Sequence, residues 1–239
     1  MLGGRRTVLE AVRAGRAAAV LVATGARTTP GLRDLLDEAA GAAVPLRRVA
    51  GPELDRLAGP NHQGVAAAVT PPPPLGGRDL ASRRFGPEAL VVVLDGIEDP
   101  QNLGASARSA EAAGAEALVV RDRRAAPLSA SAIRASAGAL LHLPVARVPN
   151  LHQALLSLRS RGFFVVGLDH RAERTIHDAG PAPRPLALVL GAEGTGISRL
   201  VRETCDALVA IPMAGRTGSL NASAALAVGL FGYALRRDG

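Results

Sequence analysis

A chain of 239 residues with 48% hydrophobic content has apolar material for one large core, or for a small and a medium one. The net charge of +7 is carried wholly by arginine and favours a polyanionic partner. One cysteine excludes a disulfide framework and a cysteine-based zinc site, and four Phe, one Tyr and no Trp exclude an aromatic platform for stacking bases.

Gly3-Gly4-Arg5-Arg6 runs into a polar helix, not into the apolar core of a secretory signal. No apolar stretch approaches the roughly 20 residues that span a bilayer. The expectation is a soluble, cytoplasmic protein with no membrane partner. Val8, Leu9 and Val12 predict a helix over 5–13, followed by an apolar strand over 17–23. Leu32, Leu35 and Leu36 share one face of a helix over 31–40. A strand over 44–49, a short helix over 52–58 and a strand over 64–69 complete a small α/β module, assigned to residues 1–70.

Pro71-Pro72-Pro73-Pro74-Leu75-Gly76-Gly77 follows. Four prolines cannot join a sheet or a helix interior and favour extended polyproline II, so 71–87 reads as a stiff linker. Residues 88–239 form the second unit. Continuous apolar runs at 90–94, 117–120, 163–168, 186–190 and 208–211 fit strands of a parallel sheet covered on both faces. Helices fit at 103–113, 151–160 and 222–236, and the alternation makes this an α/β unit.

Three of these strands break into loops rich in glycine or polar residues. After Leu94, Asn102 reads as an N-cap and Asp95 and Asp99 as turn residues. Arg108 shares a helix face with Gly104, which leaves room beside a long cation, although a surface arginine is the simpler reading from spacing alone. After Leu190 come Gly191, Gly194 and Gly196. Their spacing is neither that of a P-loop nor that of a dinucleotide fingerprint, and Glu193 would repel a phosphate. After Ile211, Gly215 and Gly218 bracket a flexible loop, and Ser219 or Asn221 can cap the last helix. Leu226, Leu230 and Tyr233 form a stripe suited to core or subunit interface. Arg121, Arg123 and Arg124 around Asp122 read as a solvated loop able to touch phosphate, and Arg134 stands alone among small residues. The five histidines are scattered without metal spacing, so no metal is expected.

Together the three segments resemble the three motifs of the SpoU (TrmH) family of RNA ribose 2′-O-methyltransferases. They are Leu94-Asp95-Gly96-Ile97-Glu98-Asp99-Pro100-Gln101-Asn102-Leu103-Gly104-Ala105-Ser106-Ala107-Arg108, Leu190-Gly191-Ala192-Glu193-Gly194-Thr195-Gly196, and Ile211-Pro212-Met213-Ala214-Gly215 with Ser219-Leu220-Asn221-Ala222-Ser223. Arg134-Ala135-Ser136-Ala137-Gly138-Ala139 and Asn61-His62-Gln63-Gly64-Val65 are similar to segments of the 23S rRNA guanosine methyltransferases within that family.

The resemblance implies a trefoil-knotted parallel-sheet α/β (SPOUT) catalytic domain over 88–239, preceded by a small L30e-like α/β RNA-binding domain over 1–70. It implies S-adenosylmethionine as cofactor, RNA (23S rRNA) as partner, and a homodimer. Gly191, Ile211 and Leu220 would contact the cofactor through backbone, with Glu193, Met213 and Ser219 lining the same pocket. Asn102, Arg108, Glu193, Ser219 and Asn221 would be the catalytic set. The implied activity is 2′-O-methylation of a 23S rRNA guanosine. Another RNA site (tRNA, or an antibiotic-resistance position) and a non-catalytic ribosome-associated RNA-binding protein stay open as alternatives.

Overall fold

The computed structural model describes residues 1–216 and 218–236. Thr217, within the loop expected around 215–218, and residues 237–239, within the unit assigned to 88–239, lie outside the described residues.

The chain builds two sheets in succession. The first contains β1 (Leu2–Gly3), β2 (Ala17–Ala23), β3 (Leu46–Val49) and β4 (Val65–Val69) in the order β1-β4-β2-β3. Three helices pack with it: α1 (Arg5–Arg13), α2 (Pro30–Gly41) and α3 (Gly51–Ala58). Thr29 caps α2 by accepting from the Leu32 amide, and Pro30 stands at the first helical position, where its missing N–H costs nothing. Val8, Val12, Leu32 and Leu35 close over Val20 and Val65 as one small core.

The second sheet is wholly parallel. It contains β5 (Leu90–Asp95), β6 (Ala117–Arg121), β7 (Val145–Val148), β8 (Phe164–Leu168), β9 (Leu186–Gly191) and β10 (Ala207–Val209) in the order β10-β8-β9-β5-β6-β7. Alternate residues of β5 enter opposite cores: Leu90, Val92 and Leu94 join one, Val91 and Val93 the other. β9 divides in the same way. A strand buried on both faces needs no polar alternation, which is why these runs read as continuous.

The stretch expected to be a linker is partly built into this sheet. The Leu75 amide donates to Val145 O at 2.8 Å, and the Arg147 amide donates to Leu75 O at 2.8 Å. A short helix α4 (Gly77–Ser82) follows and buries Leu80. Arg161 then fastens the end of the segment, donating to Leu80 O at 3.1 Å and lying 5.1 Å over the Phe85 ring. From Leu75 onward the segment is therefore docked against the edge of the second sheet.

The remaining helices are α5 (Pro100–Ala112), α6 (Ala130–Ala135), α7 (Leu151–Arg159), α8 (Arg199–Thr204) and α9 (Ala222–Gly229), the last running into a π-helical turn, Leu230–Ala234. α5 begins before the expected position. Asp99, not Asn102, is its cap and accepts from the amides of Gln101 and Asn102 at 3.2 and 3.1 Å. Gly104 also differs from expectation. A Cβ there would lie 2.4 Å from Ala132 O, so the space beside Arg108 is filled by α6 and not by a ligand. Leu226, Leu230 and Tyr233 are buried within the chain's own core, which removes them as interface residues. The two units touch where Gly138 (φ 97°) turns against α1. A Cβ there would meet Glu10 Cβ at 2.5 Å, and Glu10 Oε2 pairs with His142 Nε2 at 3.1 Å.

Candidate active site

The loops after β9 and β10 meet at the start of α9. After Gly191 the chain makes a tight turn, with the Gly196 amide donating to Ala192 O at 2.9 Å and the Thr195 amide to Glu193 O at 3.0 Å. Gly194 and Gly196 hold φ of 80° and 69°, which glycine adopts without strain. A Cβ on Gly191 would lie 2.1 Å from the carbonyl carbon of Gly196. The glycine is thus required by loop closure; the space a side chain would need is filled by backbone, not by a ligand.

The turn presents Glu193 to two asparagines. Glu193 Oε1 accepts from Asn221 Nδ2 at 2.8 Å, from the Ala222 amide at 2.9 Å and from Asn102 Nδ2 at 3.3 Å. Asn221 Nδ2 also donates to Asn102 Oδ1 at 2.8 Å. Asn221 Oδ1 caps α9, accepting from the amides of Ser223 and Ala224 at 3.1 and 3.4 Å. The carboxylate therefore sits at a helix N-terminus, where the macrodipole stabilises negative charge.

Glu193 forms the wall between two cavities. The first, of about 300 Å³, is lined by Leu168, Asp169, His170, Leu190, Gly191, Ala192, Glu193, Gly194, Gly196, Ile211, Met213, Gly218, Ser219, Leu220, Ala222 and Ala225. It brings together Gly191, Ile211, Leu220, Glu193, Met213 and Ser219. Among the described residues no arginine lines it, while two carboxylates do. An apolar, cationic ligand suits such a lining, and a phosphorylated one does not.

The second cavity, of about 450 Å³, is lined by Asp95, Gly96, Ile97, Glu98, Asn102, Arg121, Arg124, Ala192, Glu193, Thr195, Gly196 and Ser198. One side of it is fixed by a buried carboxylate. Asp95, 3% exposed, accepts from the Ser198 amide at 2.7 Å and pairs with Arg121, whose Nη2 also donates to Ser198 Oγ at 3.0 Å. This corrects the reading of Asp95 as a turn residue and of Arg121 as a solvated cation. The pair ties the end of β5 to β6 and to the start of α8.

Five residues were expected to form the catalytic set. Asn102, Glu193 and Asn221 are in mutual contact. Ser219 lies on the rim of the first cavity. Arg108 lines neither cavity. It is exposed on α5, six residues and thus about 9 Å along the axis beyond Asn102. Asp169 and His170 at the end of β8 were not foreseen. Asp169 is held by the Arg171 amide at 2.8 Å and by Arg202 at 3.3 Å. Among the described residues, no group of three or more His, Cys, Asp or Glu could hold a metal ion, and no helix is long and apolar enough to cross a membrane.

Residues 89–231 match the family model described as the SpoU rRNA methylase family, and residues 1–75 match the model for RNA 2′-O ribose methyltransferase substrate binding. The chain belongs to the SpoU rRNA methylase family. A relative described as an uncharacterized tRNA/rRNA methyltransferase, from Mycobacterium ulcerans (strain Agy99), is 43% identical over 98% of this chain and 76% of its own length. Among solved structures, an RNA 2′-O ribose methyltransferase is similar with a TM-score of 0.80 and 31% identity, over 97% of this chain and 86% of that one. The SpoU methyltransferase AviRb from Streptomyces viridochromogenes, in complex with the cofactor AdoMet, is similar with a TM-score of 0.76 and 30% identity, over 97% of this chain and 87% of that one. The likeness to SpoU proteins extends over both sheets.

Placed in that family, the contact between Asn102, Glu193 and Asn221 joins all three sequence motifs at one point. Each motif supplies one member, from the start of α5, the turn after β9 and the cap of α9. Rigid helix termini and a closed turn hold the three side chains, which is the kind of support a preorganised site needs.

Proposed function

We propose that this RNA methyltransferase transfers the methyl group of S-adenosylmethionine to a ribose 2′-hydroxyl, with a guanosine of 23S rRNA as acceptor. The observation that carries the reading is the position of Glu193. Its carboxylate separates an apolar, carboxylate-lined cavity from a second cavity whose rim carries arginine. The first cavity fits the cofactor in chemistry. Leu168, Leu190, Ile211 and Leu220 offer apolar contact, and Asp169 and Glu193 suit cationic groups. Gly191, Ile211 and Leu220 would hold it through backbone, beside Met213 and Ser219. When bound, S-adenosylmethionine supplies an electrophilic methyl on a positively charged sulfur.

The chain's own residues do the rest by placement. Glu193 Oε1 is saturated by three donors, which leaves Oε2 to accept a hydrogen bond from an incoming hydroxyl. Asn102 and Asn221 fix the direction of that carboxylate. Holding two reactants in line is itself a large catalytic term. Arg108, exposed on α5 and without a partner among the described residues, is assigned to an RNA phosphate. A guanidinium holds its proton and is a poor base, so its role is positional.

The same reading takes residues 1–70 as the RNA-binding domain and 88–239 as the catalytic one, and includes a trefoil knot in the latter. In support of the knot, the segment entering α9 packs directly on the turn after β9 through the bond from the Ala222 amide to Glu193. It also takes the protein as a cytoplasmic homodimer. In support, Val228 and Phe231 are 38% and 53% exposed on the outer side of the last helix.

The test is to incubate the protein with S-adenosylmethionine and rRNA from cells lacking the gene, then digest the RNA to nucleosides. Release of 2′-O-methylguanosine is expected. A base-methylated nucleoside, or methyl transfer to a target carrying 2′-deoxyguanosine, would overturn the reading.

A further inference from the structure

The second cavity has a charge pattern that the methyl-transfer chemistry alone does not explain. Three carboxylates and two guanidinium groups line it. Asp95 and Arg121 neutralise one another, with the Ser198 amide as a further donor. Glu193 is engaged by Asn102, Asn221 and the Ala222 amide. Two groups are left over. Glu98 and Arg124 are exposed at the rim and have no hydrogen-bond or ion-pair partner among the described residues. Arg124 also holds φ of 54°, a conformation that non-glycine residues seldom adopt and that clusters at functional sites.

We propose that this cavity seats the acceptor nucleotide, with Arg124 on its phosphate and Glu98 across the paired donors of a guanine. The inference rests on the 2′-O-methyltransferase reading above. If the methyl donor occupies the first cavity, the acceptor reaches the shared wall from the other side, and the second cavity is the space that opens there. It borders Asn102 and Glu193, so a ribose hydroxyl at that wall leaves the phosphate and the base to reach the rim. A guanidinium offers planar donors to a phosphate. A lone carboxylate accepts only, so it selects a base edge made of donors. Guanine alone presents two adjacent donor groups, N1–H and the N2 amino group, to the two oxygens of one carboxylate. Adenine and cytosine each set one donor beside an acceptor, and uracil flanks its N–H with two carbonyls that a carboxylate repels. Glu98 is thus a specificity-determining residue and Arg124 a positioning residue.

The test uses the full chain and steady-state methylation of undermethylated rRNA, together with S-adenosylmethionine binding by calorimetry. Arg124→Ala should raise the KM for RNA about tenfold or more, as expected for a lost charge-assisted bond. It should also lower the slope of log affinity against log salt by about one, with cofactor affinity unchanged. Arg124→Lys should restore most of the loss. Arg124→Gly accepts the backbone conformation without strain and should behave like Arg124→Ala, which separates the guanidinium from the strain. On a short RNA spanning the mapped target, wild type should methylate inosine, which lacks the N2 amino group, about tenfold more slowly than guanosine. Glu98→Gln should narrow that difference. If wild type methylates RNA but Arg124→Ala keeps its KM and salt slope, or if wild type treats inosine and guanosine alike, the nucleotide assignment is overturned and the methyltransferase reading stands. If wild type binds cofactor but methylates no RNA, both are overturned.

Discussion

Asn102 and Asn221 stand 119 residues apart in the chain, yet Asn221 Nδ2 donates to Asn102 Oδ1 at 2.8 Å while both side chains donate to the same oxygen of Glu193. The contact ties the first helix after β5 to the last helix of the protein. Each member of the group limits the freedom of the other two. Removing one leaves a donor or a carboxylate oxygen without its partner, and such a loss is larger than the net worth of one hydrogen bond.

Asn221 has two duties, and two substitutions separate them. Asn221→Ala removes the cap of α9 and the donor to Glu193. It should lower stability by about 2 kcal/mol and methyl transfer by about a hundredfold. Asn221→Asp retains an oxygen for the Ser223 and Ala224 amides but faces Glu193 with a second carboxylate. Its thermal midpoint should stay closer to wild type than that of the alanine variant, while transfer falls at least as far. Calorimetric unfolding and single-turnover methylation of rRNA read the two effects.

Gly191→Ala tests whether loop closure sets the first cavity. The new Cβ would lie 2.1, 2.2 and 2.3 Å from backbone atoms of Gly196 and Ile197, which cannot swing away as a side chain could. The turn must open, taking Glu193 with it. A destabilisation of about 3 kcal/mol is expected, with loss of S-adenosylmethionine binding in the fraction that folds. Near-normal cofactor affinity in this variant would show that the cavity forms without the closed turn.

The parts of the fold that were legible in the sequence are those whose physics is local. β5 and β9 are buried on both faces, so each is an uninterrupted apolar run. α7 and α9 follow Asn150 and Asn221, whose side chains accept from the first amides of their helices. What escaped was short or interrupted. β7 contains Arg147, whose guanidinium bonds Ala126 O at 2.6 Å and so breaks the apolar pattern. α6 and α8 have six residues each, less than two full turns, too few for a periodicity to emerge. In the site, Asn102, Glu193 and Asn221 could be grouped only because the three motifs resemble a known family; nothing in their spacing brings them together. Asp95 shows the limit most clearly. Its partners lie 26 and 103 residues away, so a buried ion pair and a turn carboxylate look the same in the chain. Gly104 read as room beside Arg108, and that α6 fills this space was not legible, because its residues lie far along the chain.

Cys205 gives a pH-dependent test of packing in the core that holds Val165, Ile197 and Val201. Burial raises its thiol pKa from 9.0 to about 12, and the nearby Asp206 and Asp169 carboxylates add to the effect. In the unfolded chain the thiol ionises near its ordinary value. Between about pH 9 and pH 12 the unfolded state therefore binds fewer protons than the native state, and stability falls as pH rises. Below pH 9 both states keep the proton and the contribution is flat. Denaturant unfolding should show this decline in wild type and less of it in Cys205→Ala. At pH 8 iodoacetamide should leave the native thiol unmodified, since thiolate is the reactive form. Rapid alkylation of the folded protein at that pH would contradict the burial.

The homodimer proposed above can be tested on the last helix. Leu226, Leu230 and Tyr233 are spent in the chain's own core, so a partner subunit can use only the residues between them. Val228 and Phe231 are three positions apart, on the same side of the helix, and 38% and 53% exposed. An exposed Phe beside an exposed Val on the helix that Asn221 caps would place a subunit interface on the same element that supplies one member of the candidate site. Phe231→Glu puts a charge at the centre of that patch without touching the core. Sedimentation of wild type at micromolar concentration should give twice the 24.4 kDa chain mass, and Phe231→Glu should shift it toward the monomer. The variant should keep its unfolding midpoint at high dilution, where wild type is also dissociated. If methyl transfer falls with dimer content while cofactor binding persists, RNA is being held across two subunits. A wild-type monomer, or a Phe231→Glu dimer of unchanged affinity, would remove this face from the interface.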